Sequence, residues 1–157
     1  ESILLENIPG AVSVGKSSGG EDRQGIDYWV YRRYTHPISV DLKQRRDDPL
    51  TFATPKDDLA LETWSVKERN IGGWTLDEKK RTDYILWHFA PTGRWVLIPF
   101  PMLCAVFQQN QAEWAQQYQT ATQSTDNGRY HSECIFVPRN TVWRALYERY
   151  GGLTPHA

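Results

Sequence analysis

Cysteine is scarce in this chain: Cys104 and Cys134 are the only two in 157 residues. Each sits in an apolar run, "MLCAVF" and "ECIFVP", and they form no C-x-x-C pair and join no Cys/His cluster. That excludes a zinc centre built on thiolates and leaves two buried free thiols as the expectation. Long hydrophobic runs are missing as well. No stretch approaches the roughly 20 apolar residues that span a bilayer, and no secretory leader is visible. The expectation is a cytoplasmic, reduced protein with no membrane partner. The chain starts at Glu1 rather than Met, so residues preceding it are expected. Charge of one sign is lacking too. The formal net charge is −1, so no global basic field announces a nucleic-acid binder. Basic residues gather only locally, at Arg32-Arg33, Arg45-Arg46 and Lys79-Lys80-Arg81. The four histidines, His36, His88, His131 and His156, are scattered, and no Ser/His/Asp or Cys/His pairing stands out. Gly15-Lys16-Ser17 looks like the end of a phosphate-binding loop, but the upstream Gly10 is read as one residue too far from Lys16 and no strand is read before it, so that function is set aside.

Aromatic residues, by contrast, are plentiful. Seven Trp and eight Tyr support a real core, with some rings left as stacking surfaces. The length suits one domain, residues 1–157. The element pattern predicts α+β, or α/β, architecture: a mixed central sheet of about five to six strands flanked by helices. "ESILLENIPG" reads as a short helix ended by Pro9-Gly10. "SVGKSSGGEDRQG" reads as a polar loop. "DYWVYRRY" and "ISVDLKQRR" read as a hairpin around "THP", with Asp27 opposite Gln44 if the turn centres on Thr35-His36. "LALETWSVK" is a third strand, "NIGGW" a turn, and "RTDYILWHF" and "RWVLIPF" a second hairpin across "APTG". "MLCAVFQQNQAEWAQQYQ" is helical, with a break near Asn110, and its Phe107, Trp114 and Tyr118 are expected to pack inward while its glutamines face water. "STDNGRYHS" is a loop, "ECIFVP" a last strand and "RNTVWRALYERY" a final helix, capped by Asn140 and ended by Gly151-Gly152.

One constellation carries chemistry. Strand side chains alternate faces, so Ile38, Val40 and Leu42 share the core face of the second strand and Ser39, Asp41 and Lys43 share the other. In the third strand Leu59 and Leu61 oppose Glu62 and Trp64. If the three strands are neighbours, Asp27, Asp41, Lys43 and Glu62 converge on one patch. Magnesium, or manganese in its place, takes one or two carboxylates with waters and a substrate phosphate. Asp27 and Asp41 would supply those carboxylates, with Asp22 as a substitute for Asp27, and the Leu42 carbonyl would add an oxygen. The bound metal would acidify a water and offset charge on phosphate. Lys43 would orient that water or stabilise the pentacoordinate state. A metal also makes three neighbouring acids tolerable.

"GID" at Gly25 to Asp27, followed by "VDLK" at Val40 to Lys43 in the next strand, resembles the PD-(D/E)XK nuclease superfamily, whose hallmark is an acid at the start of one strand and an acid-x-lysine triplet in the next. The resemblance covers the hairpin and, with Glu62, about the first half of the chain. Ile26 stands where the name-giving proline would be, and the helix acid of junction-resolving branches has no secure match, Glu1 or Glu6 being the nearest. The resemblance implies a restriction-endonuclease-like core and a magnesium-dependent deoxyribonuclease. It assigns Asp27 as first acid, Asp41 as second acid and Lys43 as the lysine, with Glu62 and Gln44 as further site residues. Asp27, Asp41, the Leu42 carbonyl and Glu62 would face the metal. DNA is the implied partner, contacted by Arg45, Arg46, Lys79, Lys80 and Arg81. The oligomeric state stays open, a homodimer included. Two other readings remain: a nucleic-acid-binding module that kept the fold without catalysis, and a protein-interaction component of a phage or mobile element.

Overall fold

The structure is a computed structural model, and it describes residues 1–125 and 128–151. The chain is mixed α+β and divides into two compact units, each drawn from two stretches of sequence. The first comprises Glu1–Asp48 and Lys79–Pro101, the second Pro49–Glu78 and Met102–Ala157.

The first unit holds helix α1 (Ser2–Asn7) and strand β1 (Ala11–Lys16), then the short helix α2 (Gly19–Asp22), β2 (Tyr28–Arg32), β3 (Ile38–Arg45), β6 (Tyr84–Phe89) and β7 (Arg94–Pro99). Its five strands run in the order β1-β2-β3-β6-β7. All neighbours are antiparallel except β3 and β6, which are parallel, with Asp41 beside Ile85 and Lys43 beside Trp87. A parallel pair cannot be closed by a hairpin and needs a crossover of a dozen or more residues. Residues 49–78 form most of that crossover. They belong to the second unit, so the strand expected beside the β2–β3 hairpin pairs elsewhere. It is β4 (Asp58–Val66), in a four-stranded sheet of order β5-β4-β9-β8 with β5 (Ile71–Gly72), β8 (Thr120–Thr125) and β9 (Tyr130–Pro138). Helices α3 (Phe100–Gln117) and α4 (Arg139–Tyr150) complete the fold.

The core of the first unit forms where periodicity placed it. Ile38 and Val40 of β3 are buried with Val30, Leu86, Leu4 and Ile8, and Leu42 packs against this cluster. The opposite face of β3, expected to be open, is buried too: Ser39 and Asp41 have relative exposures of 1% and 3%, beside Ile85, Trp87 and Phe89 at 0–1%. The near-continuous apolar run of β6 is the signature of a strand covered on both faces. Asp83, expected as a cap or turn residue, fastens this pair: its carboxylate accepts the Ser39 N–H at 2.7 Å and its own N–H donates to the Ser39 carbonyl at 3.1 Å.

Several local expectations are corrected. The polar stretch at residues 13–25 contains most of β1 and all of α2. Gly10 to Ser17 in fact carries the full G-x-x-x-x-G-K-S spacing of a phosphate loop. Here, however, Ala11–Lys16 is a strand paired with β2, so it does not form the loop that would cradle a phosphate. Helix α3 is unbroken at Asn110, whose side chain donates to the Val106 carbonyl at 2.7 Å. Phe107 and Trp114 are buried with ring centroids 6.2 Å apart, Tyr118 is half-buried, and Gln108, Gln109 and Gln116 are exposed, as the helical spacing implied. Asn140 lies inside α4, whose N-cap is Pro138, because β9 runs straight into the helix. Strand β9 begins at Tyr130, earlier than the apolar run suggested, and Cys104 and Cys134 form no disulfide and are half-buried. Gly152, His156 and part of the expected "STDNGRYHS" loop lie outside the described residues. Among those described, no helix is long and apolar enough to cross a membrane.

In the second unit Leu59 and Leu61 are buried, and Gly73 is pressed against β4. A Cβ added at Gly73 would sit 2.2 Å from the Glu62 carbonyl oxygen. Gly73→Ala should therefore destabilise by about 1–3 kcal/mol, the usual cost of overpacking. Urea denaturation checks this, and a variant within about 0.5 kcal/mol of wild type would show that β4 yields freely.

Candidate active site on the β2–β3 hairpin

The site begins with a difference in strand length. Strand β2 pairs with β3 only from Tyr28↔Val40 to Val30↔Ile38. Strand β3 runs on to Arg45, so from Leu42 onward its β2-side edge has no strand partner. Asp27 sits at that junction. Its N–H donates to the Val40 carbonyl at 2.9 Å. Its carboxylate accepts the Leu42 N–H at 2.6 Å. A side chain thus takes the ladder position that the next residue of β2 would have filled. The register places Asp27 next to Asp41 rather than opposite Gln44. The connection is asymmetric: the Arg33 N–H bonds the Gly10 carbonyl and Tyr34 takes a left-handed conformation at φ 64°.

Asp41 is the electrostatic centre. Its Oδ1 accepts a hydrogen bond from the Lys43 ammonium at 2.9 Å. Its Oδ2 lies 2.9 Å from the same ammonium and in ion-pair contact with Lys80. Oδ2 is buried, and two ammonium groups offset its charge. Burial pushes the Asp41 carboxyl up. The charges of Lys43 and Lys80, with their hydrogen bonds, more than reverse this and hold it below the usual aspartate value. Asp27 moves the other way. Burial raises it, the Leu42 N–H lowers it, and the neighbouring Asp41 carboxylate raises it again, leaving it above the usual value. Lys80 is lowered by burial and by repulsion from Lys43, which Asp41 and Asp27 offset only in part.

Lys80 was expected only as a phosphate contact in the run Lys79-Lys80-Arg81. The fold turns its ammonium inward instead, with 7% of the side chain exposed. The amine stands 5.6 Å from the Phe100 ring centroid. Its stem passes Gly25, where an added Cβ would lie 2.2 Å from Lys80 Cε. Gly25 also has φ +78°, a backbone that disfavours any other residue. The one signal in the sequence was "RQGID", a glycine two residues before a candidate acid, but nothing local ties it to Lys80.

The remaining expected site residues divide. Gln44 is exposed and lines, with Lys16, Ser17, Asp22, Asp27 and Leu42, a cleft of about 440 Å³. Arg46, Lys79 and Arg81 are exposed and Arg45 is half-buried. Glu62 belongs to the second unit, where its carboxylate accepts the Trp74 N–H at 3.0 Å and its carbonyl accepts the Thr75 hydroxyl. It thereby caps the single helical turn Trp74–Leu76. Its strand is not a neighbour of β3, so the premise that put Glu62 beside Asp41 does not hold. Among the described residues no three His, Cys, Asp or Glu side chains form a metal-ligating group.

Comparison with known proteins returns no matching family model, no matching curated protein and no matching solved structure.

The raised Asp27 carboxyl fixes the sign of a test. Its ionised form is disfavoured in the fold, so its contribution to stability is present below the unfolded value and lost as pH rises through the folded one. At pH 7 ionised Asp27 is a net cost. Asp27→Asn keeps an oxygen for the Leu42 N–H and removes that cost. Urea denaturation in EDTA at pH 7 should find the variant as stable as wild type or more so, and any advantage should vanish at pH 3. A loss of more than about 1 kcal/mol at pH 7 would mean that the charge itself holds the hairpin together.

Proposed function

We propose that this chain is a metal-dependent nuclease of the PD-(D/E)XK type that hydrolyses phosphodiester bonds in DNA. One observation carries the reading: Asp27 at the entry to β2, and Asp41 with Lys43 in β3, lie together on one hairpin, with Lys43 bonded to Asp41. Two carboxylates suit magnesium or manganese, which fill their remaining positions with water and phosphate oxygens. Asp41 Oδ1, bonded to the partly exposed Lys43 ammonium, is an oxygen that a divalent cation could take once Lys43 turns away. Asp27 and Asp41 would hold the ion. A residue's N–H and C=O project to the same side of a strand, so the Leu42 carbonyl is directed to the edge where its N–H meets Asp27. A bound ion would supply a nucleophile by acidifying water and would offset charge on the phosphate.

The chain's own residues do the rest. Lys43, with 28% of its side chain exposed, can turn from Asp41 toward a phosphate and stabilise the charge that gathers there. Asp27 is the carboxylate that more readily accepts a proton, since its value is raised while that of Asp41 is lowered. Gln44 and Lys16 flank Asp27 in the cleft and offer donors to a nucleic-acid backbone. The exposed Arg46, Lys79 and Arg81 add sequence-independent phosphate contacts.

One observation favours a second reading, a nucleic-acid-binding module without catalysis: Lys43 and Lys80 both already pair with Asp41 without an ion. Nicking of supercoiled plasmid with magnesium, with manganese and with EDTA separates the two. The nuclease reading expects cleavage with either ion and none in EDTA. Lys43→Ala should cut at least about 10²-fold more slowly, the scale of losing one preorganised charge, while still binding manganese. Asp41→Ala should lose the ion as well. Plasmid binding with no cleavage under any ion would favour the module, and Lys43→Ala cutting at the wild-type rate would reduce the lysine to a surface cation.

A further inference from the structure

Lys80 has no role in the reading above, and its environment is unusual enough to need one. Its ammonium is buried against Asp41 Oδ2. Lys43 reaches the same carboxylate from a far more open position, with 28% of its side chain exposed against 7% for Lys80. The Lys80 stem passes a glycine that leaves no room for a Cβ, and the ammonium faces the Phe100 ring. Lys43 can therefore swing away when a cation or a phosphate arrives, whereas Lys80 is held by its surroundings. Burying a lysine is costly unless it is paired. Here the pairing is with one of the two acids that would hold the metal.

Resting on the nuclease reading, we infer that the Lys80 ammonium permanently occupies the position beside Asp41 that a second metal ion would otherwise take, so that the site binds one divalent cation and not two. Two-metal phosphodiesterases place their ions about 3.5–4 Å apart and bridge them with shared acidic ligands. Here the described residues offer two neighbouring carboxylates and no group of three metal-ligating side chains. Glu62, the third acid that the sequence put forward, is engaged by Trp74 and Thr75 in the second unit. With Lys43 released and Lys80 in place, Asp27 and Asp41 carry a net charge of about −1 together with the ammonium, enough for one divalent ion with waters and a phosphate and too little for two. Lys80 is thus a positioning residue. It stands on the Oδ2 side of Asp41 and directs the single ion to the Asp27 side, where the cleft opens.

The test is Mn²⁺ binding to the full chain, read by isothermal titration and by loss of the free-ion EPR signal. Wild type should saturate at one ion per chain. Lys80→Met should take a second ion or bind the first at least about tenfold tighter, because a fixed unit positive charge has gone. Lys43→Ala should tighten the first ion and still saturate at one. Lys80→Gln, which keeps polarity and most of the length, replaces the Met variant if circular dichroism shows that variant unfolded. Two ions of similar affinity on the wild type would overturn this inference and leave the nuclease reading standing. So would a folded Lys80 variant that matches wild type in both stoichiometry and affinity, or a second ion admitted by Lys43→Ala alone. Failure of wild type to bind Mn²⁺ at millimolar concentration would overturn the nuclease reading, and this inference with it.

Discussion

The parallel pairing of β3 with β6 governs most of the first unit. Parallel neighbours need a long connection, and the chain uses residues 49–78 for most of it, so one unit is drawn from two separated stretches of sequence. Both faces of β3 are buried around Asp41, which places it out of water although strand periodicity assigned it to an open face. On its return the chain passes Lys80 and Asp83 just before β6. Asp83 locks the start of β3 through Ser39, and Lys80 reaches Asp41 two residues further along the strand.

A buried carboxylate must be paired, because desolvation disfavours its charge by several kcal/mol. Asp41 meets that requirement with two ammonium groups on one carboxylate, and the result is a compact cluster of opposed charges with Asp27 at its rim. Within it, burial pushes Asp27 toward its neutral form and Lys80 toward loss of its proton. Groups displaced in opposite directions within one small region are the pattern that active sites share, although ion-pair networks of purely structural purpose also produce it. Asp27 stands where β2 stops and β3 continues, at an open sheet edge beside a cleft, and the proposed nuclease reading rests on that position.

Local pattern carried much of this protein on the page of its sequence. The alternation of "ISVDLKQR" identified β3 and put Ile38, Val40 and Leu42 in the core. The 3.6-residue spacing of Phe107 and Trp114 identified the inward face of α3. The order acid, strand, acid-x-lysine brought Asp27, Asp41 and Lys43 together correctly, because all three belong to one hairpin whose two strands are close in sequence. These are short-range consequences of residue type and period, and neighbouring residues suffice to determine them.

What the sequence could not supply depended on contacts between distant segments. Asp41 reads as a surface acid, yet the fold covers its face of β3 and leaves it 3% exposed. Lys80 reads as one of three exposed cations until the crossover returns it to a carboxylate 39 positions earlier in the chain. Glu62 shares the alternation of β3 but not its sheet, since period two fixes which face a side chain takes and says nothing about which strand lies alongside. The sequence by itself determined the strongly periodic elements, their alternation of faces, and the placement of Asp27, Asp41 and Lys43 on one hairpin. Tertiary structure alone decided the partners of each strand, and with them the burial and countercharge of the central acid, because those follow from non-local pairing that no local period encodes.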